Sequence, residues 1–441
     1  MLLIENGYMI DPRSGCEGYY DILIKDDRII KIGKNLRNIL TLQGITGHTI
    51  INAEGLLVLP GLVDIHVHFR EPGFTHKEDI ATGAKAAAKG GFTTVVMMAN
   101  TKPAIDNETT LTLVLDKGKE TGIHVKSCAG ITAGLLGKEL VPMEELAQKG
   151  AAGFTDDGVP LMDEDLVREA MKRAAALDLP LSFHEEDPDL ITNNGINAGK
   201  ASTHFGIGGS PREAEVIMIE RDVNLALETG ACINIQHIST KEGVELVRKA
   251  KKKGNRIHAE ATPHHFTLTE EAVIRHGSQA KMNPPLREES DREAIIQGLI
   301  DGTIDLIATD HAPHSQEEKS LPLTQAPSGI IGLETALPLG ITVLTGPGHL
   351  TMKELIEKMS TNPAAMYHLD AGYLAEGGPA DIILVDETRS AEAGNYASKA
   401  SNTPFTGQKL KGVVCKTICA GKLVYEEGVR LKRRKDIFST S

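Results

Sequence analysis

The segment Leu62-Val63-Asp64-Ile65-His66-Val67-His68-Phe69-Arg70 begins as an apolar run and ends in two histidines two residues apart, then an arginine. On a strand, alternate side chains share a face, so His66, His68 and Arg70 point the same way. Two imidazoles on one face at a strand end can grip a metal ion, and the guanidinium can reach an anion beside it. Taken alone, a His-x-His pair is better explained by polar residues where a strand runs out into solvent. Its meaning depends on what other segments bring to it.

The same step, from a short apolar run to potential metal ligands, recurs downstream. A run at Gly153–Thr155 leads to Asp156-Asp157-Gly158. Leu179–His184 ends in His184, followed by Glu185 and Glu186. Cys232–His237 ends in His237, and Asp305–Thr309 leads to Asp310, then His311 and His314. A histidine at any one of these places reads as structural. Four histidines and two aspartates at five strand ends read as ligands for zinc-like divalent ions. Six protein ligands exceed what one catalytic zinc takes, and suit two ions bridged by a carboxylate and a hydroxide.

Such convergence needs a scaffold that gathers strand ends at one mouth. Eight short apolar runs alternate with helical stretches from about residue 58: the five above, with Thr93–Met98, Ile123–Cys128 and Arg256–Ala261. Several lack polar alternation, as expected of strands buried on both faces of a parallel sheet. Asp163 is placed to cap a helix carrying Leu166, Ala170 and Ala174. Ser210-Pro211-Arg212-Glu213 predicts another, with Ser210 as its cap. This rhythm over some 250 residues predicts an α/β chain with a (β/α)8 TIM-like barrel, whose catalytic residues gather at the C-terminal strand ends. The chain ends differ. Asp21–Lys25 and Arg28–Gly33 flank a hairpin signal, short strand signals follow at His48–Ile51 and Leu56–Val58, and Ala380–Val385 and Gly412–Ile418 read as strands. The expected division is 1–55 and 370–441 as two parts of one small β-sandwich domain, with 56–369 as the barrel.

Composition narrows the function classes. The chain has 441 residues and a formal net charge of -13, which argues against a nucleic-acid surface. The basic clusters Lys251-Lys252-Lys253 and Lys432-Arg433-Arg434-Lys435 read as solvated charge runs. No apolar run approaches the length of a membrane span, and the N-terminus lacks a signal-peptide pattern. Five scattered cysteines read as reduced, in a cytoplasmic protein.

Pro60-Gly61-Leu62-Val63-Asp64-Ile65-His66-Val67-His68 resembles the first-strand signature of the amidohydrolase superfamily. Its extension Phe69-Arg70-Glu71-Pro72-Gly73 resembles the dihydroorotases, of the class of bacterial stand-alone enzymes. So do Met98–Pro103, Phe154–Gly158, Met282–Arg287 and Ala308–His314, and the likeness runs to about residue 425. The resemblance implies the reversible cyclisation of N-carbamoyl-L-aspartate to (S)-dihydroorotate and water, a step of pyrimidine synthesis. It implies two zinc ions per subunit, bridged by Asp157 and a hydroxide. His66, His68 and Asp310 resemble the ligands of one ion, and His184 and His237 those of the other. Many relatives place a carboxylated lysine at the bridging position, but no lysine lies between Gly150 and Asp165. Asp156 is expected on the opposite face, bonded to backbone. Asp310 is expected to shuttle a proton as well as bind metal.

For the anionic substrate, the resemblance assigns carboxylate contacts to Arg70, Asn100 and His314, with His68 beside them, and a ring contact to Asn283. Ala326-Pro327-Ser328-Gly329 resembles a loop that sets backbone groups against the substrate, which brings in Ser328 and Gly329. A homodimer and a complex with aspartate transcarbamoylase both stay open. So do two other functions: another cyclic amidohydrolase, such as a hydantoinase or allantoinase, and a non-catalytic homologue scaffolding aspartate transcarbamoylase. Arg70, Asn100 and the aspartate in place of lysine speak against the former. The filled set of six ligands speaks against the latter. His264, His265 and His311 receive structural readings, and Gly206-Ile207-Gly208-Gly209 fails the dinucleotide fingerprint.

Overall fold

A computed structural model of the chain describes residues 1–44, 47–254 and 256–428. The basic cluster Lys432–Lys435 lies outside them. Five strands come first: β1 (Leu2–Asp11), β2 (Cys16–Lys25), β3 (Arg28–Gly33), β4 (Thr49–Asn52) and β5 (Leu57–Pro60). β2 and β3 pair antiparallel across a two-residue turn, with Lys25 opposite Arg28 and Asp26 at φ 52°. Seven follow in the middle of the chain: β6 (Leu62–Val67), β7 (Phe92–Met97), β8 (His124–Ser127), β9 (Leu181–Phe183), β10 (Ile233–Ile235), β11 (Ile257–Ala261) and β12 (Leu306–Ile307). The last three are β13 (Ile382–Glu392), β14 (Lys409–Cys419) and β15 (Lys422–Glu426).

The middle strands pair in parallel as β6-β7-β8 and β9-β10-β11-β12. Every residue of β6, β7, β9 and β10 is buried, the polar Asp64, His66, Thr93, Thr94, Ser182 and Asn234 included, as in a parallel sheet covered on both faces. Isolated bridges carry the joins between the two sheets: Ala129 to Phe154, Phe154 to Leu181, and Val67 to His311. The ladders therefore do not run unbroken around the ring. The expected fourth strand, Gly153–Thr155, is reduced to Phe154 held by one bridge on each side. Its neighbour Asp156 draws the backbone away, taking hydrogen bonds from the Ile131 and Thr132 amides at 2.6 and 3.1 Å. Across the join between β6 and the segment after β12, the His68 amide donates to the His311 carbonyl at 2.9 Å. There, too, Asp64 accepts from the amide and hydroxyl of Thr309 at 3.2 and 2.5 Å.

The helices follow their local signals, with one exception. Asp163 caps the helix Glu164–Leu177, accepting from the Asp165 and Leu166 amides, and Val167, Ala170, Met171 and Ala174 form its buried stripe. Such a cap contributes about 1 kcal/mol. Ser210 does not cap the helix Arg212–Thr229, whose N-cap is Pro211. The serine hydroxyl donates instead to the buried Glu186 carboxylate at 2.7 Å. The hydroxyl proton thus goes to a buried carboxylate, which would be destabilising to leave without a donor.

Both chain ends meet in one sheet, ordered β15-β14-β13-β5-β1-β2-β3, with β4 paired to β1. β5, which the sequence division puts on the barrel side, pairs here with β1 and β13. Ile4, Met9, Ile22, Val58, Ile382, Leu384 and Ile418 pack together in this region. The hydrogen bonding makes a single eight-stranded sheet, where the sequence predicted a sandwich. Among the described residues no helix is long and apolar enough to cross a membrane.

Candidate active site

The six candidate ligands converge at the C-terminal ends of the middle strands. His66 is the penultimate residue of β6, and His68 follows its end. Their Nε2 atoms lie 3.3 and 3.4 Å from the two carboxylate oxygens of Asp157. Asp310 Oδ1 stands 3.0 Å from His68 Nε2 and 3.5 Å from His66 Nε2. Opposite them, His184 Nδ1 and His237 Nε2 are 3.0 Å apart, and His237 Nε2 is 3.8 Å from Asp157 Oδ1. The donors form two triads, His66-His68-Asp157 and Asp157-His184-His237. Asp157 belongs to both, which is the geometry of a bridging carboxylate.

The donor set fits metal ions on a second count. His66 Nε2, which faces Asp157 and Asp310, is buried without a hydrogen-bond partner, an expensive state unless a cation meets it. Burial alone would push the Asp157 carboxyl up, but the charge of His66, with help from His68 and His184, holds it well below the ordinary range. Burial, with the charges of His184 and His66, pushes His237 well below the usual imidazole value. It is thus held neutral, the form that binds metal.

Three site residues are among the eleven non-glycine residues with positive φ in the described chain. Arg70, His237 and Asp310 have φ of 59°, 30° and 47°, in the left-handed region that side chains of L-residues avoid. Such outliers persist only where surrounding structure over-determines them, and they cluster at functional sites.

A cavity of about 400 Å³ opens over the donors. Eleven of the twelve sequence-derived site residues line it, while His66 lies beneath, fully buried. Arg70 Nε donates to the Pro313 carbonyl at 3.2 Å, and a terminal nitrogen of Arg70 is 3.4 Å from His314 Nε2. His314 Nε2 donates to the Ser328 carbonyl at 2.8 Å. Burial and the positive charges of Arg70, Lys77 and Lys319 push His314 down, so it stands neutral in a cationic corner. Asn100 is tied more closely to the metal donors than expected. Its amide oxygen accepts from His68 Nδ1 at 2.9 Å, and its nitrogen donates to the Asp157 carboxylate at 3.2 Å. Asn283 Nδ2 lies 3.1 Å from His184 Nε2, leaving its oxygen unpartnered. The Gly329 amide already donates to the Lys281 carbonyl at 2.8 Å. Gly329 has φ 110°, and a Cβ there would stand 2.6 Å from that of Ala312, so only glycine fits. A larger cavity, about 920 Å³, opens against Leu2, Thr49–Asn52 and Lys422, but neither a histidine nor an arginine lines it.

Three residues outside the predicted set matter. Glu260, fully buried in β11, accepts from His66 Nδ1 at 2.6 Å and from the His237 amide at 3.1 Å. Such a carboxylate fixes the tautomer and aim of a ligating histidine. Lys281 Nζ donates to the carbonyls of Leu323 and Ala326, and Lys319 Nζ to those of Pro327 and Gly329, at 2.7 to 3.0 Å. The two lysines thus hold the 323–329 loop by four carbonyls. None of the three stands out in sequence, although an acid near the end of a β-rich run was the one available hint for Glu260. The structural readings of Asp156, His265 and His311 agree with their contacts. His265 sits between Thr262 and the Pro284 carbonyl, and His311 Nδ1 accepts from the Gly332 amide.

Comparisons with known proteins identify the relatives of the chain. The family described as "Dihydro-orotase-like" matches residues 55–243. A dihydroorotase of Clostridioides difficile (strain 630) is 54% identical, covering 96% of this chain and 100% of that protein. One from Lactococcus lactis subsp. lactis (strain IL1403) is 50% identical, covering 96% and 99%. Among solved structures, the L-hydantoinase (dihydropyrimidinase) of Arthrobacter aurescens superposes with a TM-score of 0.86 at 24% identity, over 98% of this chain and 97% of that one. That likeness establishes the fold alone, the TIM-barrel type of the amidohydrolases.

Proposed function

The chain belongs to the dihydroorotase family, metal-dependent cyclic amide hydrolases, and on that premise we propose how its cavity works. The substrate pair is N-carbamoyl-L-aspartate and (S)-dihydroorotate, interconverted with release or uptake of water. His66, His68 and Asp310 would hold one zinc ion, and His184 and His237 the other, with Asp157 available to both. When bound, they polarise the amide carbonyl and supply a nucleophilic water at neutral pH.

The side chains perform the remaining steps. Arg70 forks onto the substrate carboxylate, with His314 and Asn100 beside it and Asn283 toward the ring. Backbone groups at Ser328 and Gly329 close the far side, in a position held by Lys281 and Lys319. Asp310, a carboxylate that lines the cavity, takes the proton of the attacking water and delivers it to the departing ring nitrogen. In cyclisation it runs in reverse: the attacking amide nitrogen gives up its proton and the departing water leaves with it. Five free cysteines suit a cytoplasmic enzyme.

The observation that carries this reading is Asp157 common to both donor triads, with the Arg70 guanidinium lining the same cavity. A substrate panel tests it. Dihydroorotate is expected to be hydrolysed, with hydantoin and allantoin turned over poorly or not at all. Turnover of hydantoins without dihydroorotate would contradict it.

A further inference from the structure

A second group of metal-ligating side chains lies away from the cavity and shares no residue with it. His124 opens β8, Asp381 immediately precedes β13, and Cys419 ends β14. One donor atom from each falls within 4.8 Å of the other two. We propose that His124, Asp381 and Cys419 form a third metal site, for a zinc-like divalent ion, that ties barrel strand β8 to the sheet made by the chain ends.

The Asp381 side chain is the strongest sign. It is 2% exposed, and its two oxygens are treated differently. Oδ1 accepts from the Ala420 amide at 2.7 Å. Oδ2 is buried and pairs with His124 Nε2 at 3.1 Å without a well-aimed hydrogen bond. A buried pair with poor hydrogen-bond geometry leaves its desolvation only partly offset. A cation between Oδ2, the imidazole nitrogen and the sulfur satisfies all three at once.

The donors also match one ion in kind. Imidazole, carboxylate and thiolate together select zinc-like ions over calcium or magnesium, which take oxygen. Cys419 is 2% exposed, and its Sγ makes a weak hydrogen bond to the Thr93 carbonyl at 3.6 Å. Metal binding replaces the S–H bond with a metal–sulfur bond and sends the proton to solvent, with no change of oxidation state. A cavity of about 270 Å³ opens onto His124 and Asp381, which gives the ion an entry path and a water for its fourth position. With ligands from three separate segments, the ion adds a cross-link between barrel and sheet to the hydrogen bonds already there, such as Thr417 Oγ1 to the Ala88 carbonyl at 2.7 Å.

Cobalt(II) distinguishes this site from the cavity, whose donors include no sulfur. The metal-free protein is reconstituted with cobalt(II), and thiolate-to-cobalt charge transfer is read in the near-ultraviolet spectrum. The expected result is a charge-transfer band that Cys419→Ser abolishes and His124→Gln weakens, while both variants keep their dihydroorotate hydrolysis. His124 is partly exposed, so its variant tests the site if Cys419→Ser fails to fold. Absence of the band in wild-type protein whose hydrolysis has been restored by cobalt overturns the proposal. So does a band that persists unchanged in either variant.

Discussion

The two halves of the cavity are built on different principles. The metal half takes its donors from the ends of β6, β9 and β10 and from the turns after Phe154 and β12, all nearly or fully buried. Its supports are carboxylates and amides of the barrel interior, such as Glu260 behind His66 and Asn100 behind His68. The substrate half takes its groups from loops: Arg70 beyond β6, His314 beyond β12, and the 323–329 segment. Its supports are two lysines gripping carbonyls. The contrast separates chemistry from recognition. The proposed metal donors lie in β6 or within a few residues of a strand end or bridge, and the proposed substrate groups rest on longer segments that can vary without disturbing the barrel.

That division gives each half its own kinetic signature. Asp310→Asn removes the proton carrier from the metal half, and kcat is expected to fall by ~10²–10⁴-fold with little change in thermal stability. A rate within a few-fold of wild type would remove Asp310 as the shuttle. Glu260→Gln leaves every metal ligand in place but loosens the aim of His66. Metal affinity, read by competition with a chelator, is expected to drop by ~10–100-fold. Unchanged affinity would show that the barrel holds His66 without its carboxylate. Arg70→Lys belongs to the substrate half, because a point charge cannot reproduce the guanidinium fork. Its expected signature is KM raised by ~10-fold or more at nearly constant kcat, from the ~1.5–3 kcal/mol typical of hydrogen bonds to charged groups. If kcat falls and KM holds, Arg70 acts in the chemistry and the division fails. The smallest effect is expected for Lys319→Met, which releases the Pro327 and Gly329 carbonyls. A rise in KM of a few-fold is expected at constant metal content, since the loop keeps its grip from Lys281.

The same contrast sets what the sequence revealed. Metal donors were legible because each stands where a buried apolar run stops, so a polar side chain there has few readings. The period of two in His66-Val67-His68 even gave their common face. The loop residues were legible only through the family resemblance, since Ser328 and Gly329 carry no local pattern that points to a substrate. Glu260 hid in the alternation His258-Ala259-Glu260-Ala261, which suggests a polar face toward solvent, whereas its side chain points into a closed interior. The fourth strand shrank to Phe154 because Asp156 bonds to backbone a turn away, a contact between segments some 25 residues apart. Ser210 satisfied every local rule for a cap and was claimed by Glu186 instead. The terminal strands were each visible, but β5 joined them by pairing with β13, more than 300 residues later, which no local signal encodes.

The central claim is a pair of metals sharing Asp157 in a cavity that opens and closes the dihydroorotate ring. Its most direct test is a metal titration of the apo protein, followed by dihydroorotate hydrolysis, in the Cys419→Ser background so that only the cavity takes up ions. The account predicts activity that climbs to a plateau at two equivalents per chain and a Asp157→Ala variant that retains neither stoichiometry nor turnover. Full activity at one equivalent, or metal-replete protein that leaves dihydroorotate intact, would contradict it.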